Sequence, residues 1–247
     1  VSGKSKIDEL REVPIEDLLG RDPVEPVAEL FTANITDKVV MVTGAGGSIG
    51  SELCRQIINQ KPAKLILFEV SEYNLYIVEK ELVEKVKKEG LSVEIYPLLG
   101  SVQRGNRLQA VMEAFQVQTL YHAAAYKHVP LMEKSPYEAI KINVNGTKLL
   151  ADTASRYNVK KFVFVSTDKA VNPTNVMGAS KRIAELYAMC LKNNGKTKFI
   201  TTRFGNVLGS NGSVVPLFKR QIDAGGPLTV THKDITRYFM TIQEASQ

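Results

Sequence analysis

From Lys38 onward, short runs of β-branched and aliphatic residues alternate with longer amphipathic stretches. Apolar runs of about four to eight residues are typical of buried strands, whereas apolar residues spaced three or four apart are typical of helices. Their alternation is the mark of βαβ units around a parallel sheet, so the pattern predicts an α/β fold. The predicted strands are residues 39–43, 64–70, 92–98, 119–123, 161–166 and 198–203, and the predicted helices are residues 48–59, 72–88, 136–157 and 175–192.

Two segments flank this regular region. Residues 1–36 are charged and carry three prolines without a sustained period, which predicts an arm or linker with one short helix near residues 15–19. Residues 37–204 form the predicted sheet domain. Residues 205–247 begin with a stretch rich in Gly, Ser and Asn, and we expect them to start a second, substrate-binding lobe. Because the chain starts at Val1 and stops just after a fresh apolar segment, we expect a piece of a longer protein.

Composition narrows the class of protein without naming a function. The 247 residues are 44% hydrophobic and 23% charged, which is ordinary for a soluble globular protein. The net charge of +6 is spread along the chain. It indicates either a mildly basic surface or attraction to anions such as nucleotide phosphates or an acidic membrane face. Since no basic stripe or interleaved aromatic pattern is present, we expect no nucleic-acid partner.

The cysteines and histidines predict no metal site. Cys54 and Cys190 fall on predicted helices far apart in sequence, and the histidines at 122, 128 and 232 have no zinc-ligand spacing. We therefore expect two structural thiols in a reducing, cytoplasmic setting. The sequence shows no signal peptide and no apolar stretch near the ~18 residues that span a bilayer.

The first predicted strand runs directly into a glycine-rich turn and then a helix. The glycines give the spacing GxxGxxG, a variant of the dinucleotide-binding fingerprint. Such a turn uses backbone angles that glycine adopts cheaply, lets a pyrophosphate approach bare backbone, and offers helix N–H groups to the anion. The predicted contacts to the dinucleotide here are Gly44, Gly47, Ser48, Ile49 and Gly50.

Glu69 ends the second predicted strand, close to the ~20-residue spacing expected after the last glycine for a ribose-binding acid. A carboxylate there accepts hydrogen bonds from the ribose 2′-hydroxyl and repels a 2′-phosphate, which favours NAD over NADP. The alternative is a solvated glutamate at a strand end.

Longer motifs carry a family resemblance. They are GAGGSIGSE (44–52), LILFEVSEYNLY (65–76), YHAAAYKHVPLME (121–133), INVNGT (142–147), STDKAVNPTNVMGASKR (166–182), RFGNVLGSNGSVVPLF (203–218) and TRYFMT (236–241). From about residue 20 to the end, the chain resembles the extended short-chain dehydrogenase/reductases. Within that superfamily it most resembles the CapD-like polysaccharide biosynthesis proteins, nucleotide-sugar 4,6-dehydratases that act on UDP-N-acetylglucosamine.

The resemblance implies a Rossmann-type doubly wound parallel sheet with a partial C-terminal substrate lobe, and a tightly held NAD. It also implies a UDP-sugar substrate and a homo-oligomer serving surface polysaccharide or glycan biosynthesis. Long members of the family carry transmembrane helices before the catalytic domain. We therefore expect the full-length protein to be anchored at the cytoplasmic face of the plasma membrane, and this piece to be soluble.

The implied reaction oxidises C4 of the sugar, eliminates water across C5 and C6, and returns the hydride to C6. By resemblance, Thr167 holds the 4-oxygen, Asp168 is the acid at the 6-hydroxyl and Lys169 is the base at C5. A lysine acts as a base only when burial or neighbouring positive charge lowers its pKa. The alternative is a surface Asp–Lys pair in a loop.

Met177 departs from the superfamily pattern, which has Tyr-x-x-x-Lys at this point. A thioether cannot exchange a proton, so the proton of the C4-hydroxyl goes to Asp168 or through water. Lys181 keeps the implied role of binding the nicotinamide ribose. The same methionine occurs in one branch of the long dehydratases, which resembles the bacillosamine-pathway enzyme.

Further contacts are implied by resemblance. Arg237 suits a diphosphate because a guanidinium matches two phosphate oxygens at once, whereas residues 216–218 predict helix packing. Lys127 and His128 have a plain alternative as a loop lysine and a helix-start histidine, and we expect Tyr187 and Met189 in the core. The implied cofactor contacts are Ser71, Ser101, Val102, Ala123, Ala124, Ala125 and Asn143, and the implied substrate contacts are Lys127, His128, Asn206, Ser210, Ser213 and Arg237.

Two other functions remain open on the sequence. A UDP-sugar 4-epimerase uses the same fold and the same oxidation at C4. It needs no acid–base pair for elimination and normally needs the tyrosine, so Asp168, Lys169 and Met177 argue against it. A catalytically silent NAD-binding regulatory module is the third possibility.

Overall fold

A sheet of six parallel strands forms the centre of the computed structural model, which describes residues 17, 19–22, 24, 32–192, 195–210, 212–230 and 232–247. In chain order the strands are β1 (Val39–Thr43), β2 (Lys64–Glu69), β3 (Glu94–Leu99), β4 (Thr119–His122), β5 (Lys161–Thr167) and β6 (Lys198–Phe204). Their order in the sheet is β3-β2-β1-β4-β5-β6. The connections change direction between β1 and β4, where open α/β sheets bind ligands beyond the carboxyl ends of their strands. The predicted Rossmann-type sheet is confirmed.

The helices connect these strands on both faces of the sheet. They are α1 (Ser48–Asn59), α2 (Glu72–Glu89), α3 (Gly105–Phe115), α4 (Val129–Lys134), α5 (Pro136–Ala139), α6 (Thr147–Arg156), α7 (Val176–Leu191), α8 (Val214–Asp223) and α9 (Ile242–Ser246). A π-helical segment, Ile140–Gly146, joins α5 to α6, and a short 3₁₀ turn, Asp168–Ala170, follows β5. The predicted elements agree with these bounds to within about two residues. The predicted arm lies largely outside the described residues, as does most of its helix at residues 15–19.

Each face of the sheet has its own apolar cluster, as a doubly wound fold requires. Helices α3, α6 and α7 cover one face and α1 and α2 cover the other. Along β5 the burial alternates: Phe162 and Phe164 are fully buried, whereas Val163 and Val165 are only partly buried. Only one face of β5 is fully covered, because α1 and α2 contact β1, β2 and β3.

Helix α7 presents one face to the sheet and the other to solvent. Met189 is 56% exposed, so its expected place in the core is wrong, whereas Tyr187 packs at the core edge. Cys190 is exposed and Cys54 is buried, and both are free thiols on helices. Among the described residues, no helix is long and apolar enough to cross a membrane. The same residues contain no cluster of three or more His, Cys, Asp or Glu side chains that could hold a metal ion.

The C-terminal segment contributes to two parts of the molecule. Strands β7 (Asn206–Val207) and β8 (Phe239–Met240) pair in parallel and form a small second sheet beside the end of β6. Helix α9 instead packs against α1, and Gln56 of α1 donates a hydrogen bond to the carbonyl of Gln243. Helix α9 thus contacts the sheet domain, and the substrate lobe at residues 205–247 stays a prediction.

Candidate active site

The glycine-rich turn at the end of β1 is closed tightly enough to exclude side chains. Gly44 has φ +68°, and a Cβ there would lie 2.7 Å from the backbone of Ala124. A Cβ on Gly50 would overlap the carbonyl oxygen of Gly44. The first turn of α1 carries no acidic residue, which suits an anion at its positive end. These features fit the pyrophosphate of a dinucleotide.

Glu69 braces this turn from β2. It is 7% exposed, and its carboxylate accepts hydrogen bonds from the backbone N–H groups of Gly46, Val70 and Ser71 at 2.8–3.0 Å. The carboxylate therefore lies at the turn, where a ribose-binding acid is expected. It also stabilises the backbone of the turn through these hydrogen bonds. Ser71 caps α2 by accepting from the N–H of Asn74.

Two further predicted cofactor residues follow β3. The hydroxyl of Ser101 accepts from the N–H of Gln103 at 3.3 Å. Val102 is 4% exposed and packs in the core, so its side chain supports the sheet.

A buried chain of hydrogen bonds leads from the turn into the sheet domain. His122 Nδ1 lies 2.8 Å from the Thr43 hydroxyl, and Nε2 lies 2.9 Å from the Thr147 hydroxyl. Because Thr147 donates its proton to the carbonyl of Asn143 at 2.7 Å, it accepts from Nε2–H. Nδ1 is then the acceptor for Thr43. Burial and the charge of Lys181 lower the pKa of His122 to about 3, so the ring is neutral.

Asn143 continues the chain towards α7. Its side-chain amide donates to the carbonyl of Tyr126 and to the hydroxyl of Ser180, and its oxygen accepts from the N–H of Tyr126. Ser180 in turn donates to the carbonyl of Met177. Asn143 therefore contacts the residue preceding Lys181 and also holds the loop that leads to Lys127. It lies in the π-helical segment, a feature that is frequent at functional sites.

Lys181 is the buried cation of the site. It is 6% exposed, and its Nζ donates to the carbonyl of Val165 at 2.7 Å and lies 4.4 Å from the centre of the Phe164 ring. Burial lowers its pKa to about 7, while the charge of Glu185 acts in the opposite direction. The fully buried Glu185 is itself paired with Arg203 at 2.5 Å.

Thr167, Asp168 and Lys169 follow β5 at its carboxyl end. Asp168 accepts from the Thr167 hydroxyl at 2.9 Å and from Lys169 Nζ at 3.1 Å. Partial desolvation opposes ionisation of Asp168, but the hydrogen bonds from Lys169 and Thr167 outweigh it and lower the pKa of its carboxyl. Lys169 Nζ also donates to Asn206 Oδ1 at 3.3 Å. An acid, a hydroxyl and an amine thus lie in direct contact.

A cavity of about 660 Å³ gathers most of the predicted residues. That volume suits a small-molecule or cofactor site. Asp168 is exposed and is not among the lining residues, but its carboxylate is hydrogen-bonded to Thr167 and Lys169, which are. The cavity is lined by the predicted residues Ile49, Ala123, Ala125, Lys127, His128, Thr167, Lys169, Met177, Lys181, Asn206, Ser210, Ser213 and Arg237.

Met177 lies in the first turn of α7 and lines the cavity. It is 3% exposed and joins Met132 and Ala139 in a small apolar cluster beside the cavity. The position is therefore filled by a side chain that offers no exchangeable proton.

The residues predicted to contact the sugar nucleotide are more exposed than those predicted to contact the cofactor. His128 begins α4, and a Cβ on Gly212, which has φ +70°, would overlap its ring. Ser210 donates to the carbonyl of Val207, and Arg237 donates to the carbonyl of Thr236. The buried hydroxyl of Ser213 has no hydrogen-bond partner within the part of the chain that the structure describes. These residues form one wall of the cavity together with Lys127.

Two features of this wall escaped sequence reasoning. A Cβ on Gly178 would overlap the carbonyl oxygen of Lys169, so this glycine lets α7 approach the 3₁₀ turn. A glycine in the first turn of a predicted helix is the signal that could have identified it. Phe204, Phe218 and Phe239 also line the cavity, although we expected residues 216–218 only to pack a helix.

Comparisons with known proteins show the family to which the chain belongs. A family model described as "Polysaccharide biosynthesis protein" matches residues 40–247. The capsular polysaccharide biosynthesis protein CapD of Staphylococcus aureus is 53% identical over 248 residues, covering 100% of this chain and 41% of the relative. The chain therefore spans about two fifths of that protein's length.

Relatives named for different reactions match almost equally well. A UDP-N-acetylglucosamine 4,6-dehydratase (inverting) of Campylobacter jejuni is 36% identical, covering 84% of this chain and 60% of the relative. A UDP-glucose 4-epimerase of Rickettsia rickettsii is 34% identical, covering 85% and 60%. Among solved structures, Pen from Bacillus thuringiensis superimposes with a TM-score of 0.78 at 35% identity, covering 86% of this chain and 66% of that one.

Proposed function

The chain belongs to the polysaccharide biosynthesis protein family, and on that premise we propose that it is an NAD-dependent 4,6-dehydratase of UDP-N-acetylglucosamine. One observation carries the proposal: Thr167, Asp168 and Lys169 form a contacting acid–base group at the cavity that Lys181 also lines. The product would be the UDP-4-keto-6-deoxy sugar, for polysaccharide or glycan biosynthesis. The membrane anchor and the homo-oligomer stay predictions for the whole protein.

NAD fits the residues of the glycine turn. Gly44 and Gly50 leave backbone uncovered at the start of α1, and Glu69 lies beside that turn for the ribose. Bound NAD would accept the C4 hydride of the sugar and return it to C6. Lys181 would bind the nicotinamide ribose hydroxyls, since its ammonium has two N–H donors beyond the one given to Val165.

The acid–base group supplies the proton transfers. The Thr167 hydroxyl, hydrogen-bonded to the 4-oxygen, would pass the C4-hydroxyl proton to Asp168, since it already donates to that carboxylate. Protonated Asp168 would then donate to the departing 6-hydroxyl, and neutral Lys169 would take the C5 proton. Lys169 would return a proton to C5 when the hydride reaches C6. Asp168 and Lys169 thus regain their starting protonation states.

The 4-epimerase remains the second candidate because relatives with that name match at similar identity. Met177 argues against it, since its buried thioether cannot exchange the C4-hydroxyl proton as a tyrosine does. The Asp168–Lys169 pair, which an epimerase does not need, argues in the same direction.

The direct test is to incubate the purified chain with NAD and UDP-N-acetylglucosamine. We expect a product lighter by one water that absorbs in alkali as a 4-keto sugar. A product of unchanged mass but altered C4 configuration would indicate the epimerase. No product from a chain shown to bind NAD would favour the silent module.

Lys169→Ala tests the proposed base. We expect turnover to fall by about 10²-fold or more, the usual range for loss of general base catalysis. Lys198→Ala is the matched control, because Lys198 is an exposed lysine at the opposite, amino end of β6. Parental turnover in Lys169→Ala would refute the assignment.

A further inference from the structure

We infer that Asn206 is the positioning residue of Lys169 and holds the lysine amine towards the reacting carbon. A residue of the predicted substrate lobe would thereby orient the catalytic base. This inference rests on the proposed function. The family resemblance implies only a substrate contact for Asn206.

Strand register brings the two residues together. Strands β5 and β6 are parallel neighbours, and Thr167 lies opposite Phe204 in their register. Lys169 and Asn206 each follow two residues after that pair, so both leave the sheet at the same edge. Lys169 Nζ and Asn206 Oδ1 are 3.3 Å apart.

The backbone on each side of this contact is held in place. A Cβ on Gly178 would overlap the carbonyl oxygen of Lys169, so α7 packs directly on that peptide. The N–H of Asn206 donates to the carbonyl of Tyr238 at 3.0 Å, which ties Asn206 to the β7–β8 sheet. Both backbones are therefore fixed. Among the described residues, the Lys169 amine donates hydrogen bonds to two side chains, those of Asp168 and Asn206.

An amide suits this position better than a second carboxylate. The pair with Asp168 weakens when Asp168 is protonated, as the elimination step requires, and Asn206 then keeps the amine in place. Because an amide is uncharged, it holds the amine through a hydrogen bond without adding a second negative charge beside Asp168. A carboxylate at 206 would raise the pKa of Lys169.

Two substitutions of Asn206 distinguish a role in positioning Lys169 from a role in binding the substrate diphosphate. In Asn206→Leu, which has similar size and no acceptor, we expect kcat to fall between about tenfold and a hundredfold. We expect KM to stay within about twofold, and NADH absorbance to build up in single-turnover mixtures because elimination slows after oxidation. A raised KM with unchanged kcat would overturn the inference and leave the diphosphate role.

The pH profile gives the second readout. In Asn206→Asp, the pKa of Lys169 should rise by about one unit or more, because an opposite charge within about 4–6 Å shifts a pKa by that amount. The limb of the kcat profile that reports the neutral base should move to higher pH by the same amount. Asn158→Asp is the matched control, since Asn158 is exposed just before the amino end of β5. Superimposable profiles for the parent and Asn206→Asp would overturn the inference.

A titration without turnover keeps the two proposals distinguishable. The Lys169 resonance, assigned by its loss in Lys169→Ala, is followed by NMR against pH in the parent and in both aspartate variants. If the parent makes neither NADH nor product from UDP-N-acetylglucosamine, the proposed function fails, and this titration still decides whether Asn206 contacts Lys169. An unshifted Lys169 pKa in Asn206→Asp means that it does not.

Discussion

The cofactor side and the sugar side of the cavity are built differently. On the cofactor side, Thr43, His122, Asn143 and Lys181 are all at most 6% exposed, and each is hydrogen-bonded within the sheet domain. On the sugar side, Lys127, His128 and Arg237 are exposed, and the wall depends on the two-residue strands β7 and β8. A buried network is rigid when every polar group has a partner, whereas exposed segments with few apolar contacts open easily.

This difference predicts where mutations act. Substitutions on the cofactor side change the stability of the fold together with NAD binding, because the same side chains do both. Substitutions on the sugar side change turnover and leave the fold intact. Four substitutions test this contrast, in order of expected effect.

Lys181→Met should give the largest effect on stability. Folding lowers the Lys181 pKa from 10.5 to about 7, so the unfolded chain binds more protons between those values and parental stability rises with pH across that window. Below about pH 7 the full cost of the buried charge is present. We expect the variant to be more stable than the parent by about 1–4 kcal/mol at pH 6, and to lose turnover.

Urea unfolding at pH 6 and pH 9.5 checks this expectation. The stability gain should be clearly smaller at pH 9.5, and Lys198→Met should show no such pH dependence. An equal gain at both pH values would contradict the depressed pKa.

Gly50→Ala comes next. The new Cβ overlaps the carbonyl oxygen of Gly44, so backbone must move, and we expect a loss of about 1–3 kcal/mol in stability. NAD affinity should fall by about tenfold to a hundredfold, because the same turn carries the pyrophosphate. Gly90→Ala, at φ +62° with nothing near its Cβ, is the control for strain alone. If a folded Gly50→Ala variant kept the parental NAD affinity, stability and NAD binding would not be coupled on the cofactor side.

Glu69→Ala should have a smaller effect, on both the stability of the fold and the preference for NAD over NADP. Three backbone N–H groups lose their acceptor, which we expect to cost about 1–2 kcal/mol. The preference for NAD over NADP should fall as well, because the repulsion of a 2′-phosphate disappears. Glu69→Gln removes the charge but keeps only one of the two acceptor oxygens, so it retains part of the bracing of the turn while it tests the repulsion of a 2′-phosphate. An unchanged NAD/NADP affinity ratio in both variants would refute the ribose role.

Gly212→Ala should have the smallest effect on NAD binding. Its φ of +70° strains alanine by about 1–2 kcal/mol, and the new Cβ displaces the movable ring of His128. We expect turnover of the UDP-sugar to fall several-fold while NAD affinity stays at the parental value. Calorimetric titration with NAD and steady-state kinetics measure the two quantities separately. A loss of NAD affinity would show that the two sides are not independent.

Sequence reasoning succeeded best where structure is local. The six strands and the long helices follow from the hydrophobic period. The turn at Gly44 was predicted because this glycine directly follows an apolar strand. It failed at Met189, because helical spacing alone does not tell which face of α7 meets the sheet. It also missed β7 and β8, since two-residue strands leave no periodic signal.

By itself, the sequence determined the parallel sheet and the glycine turn, because burial period and glycine conformation are properties of neighbouring residues. The acid and base roles of Asp168 and Lys169 came from the family resemblance and stay a proposal. Tertiary structure decided that Asn206 accepts a hydrogen bond from Lys169, which lies 37 residues earlier in the chain. It also decided that His122 forms hydrogen bonds with both Thr43 and Thr147. Those contacts depend on strand order and register, which arise only when distant segments pack against one another.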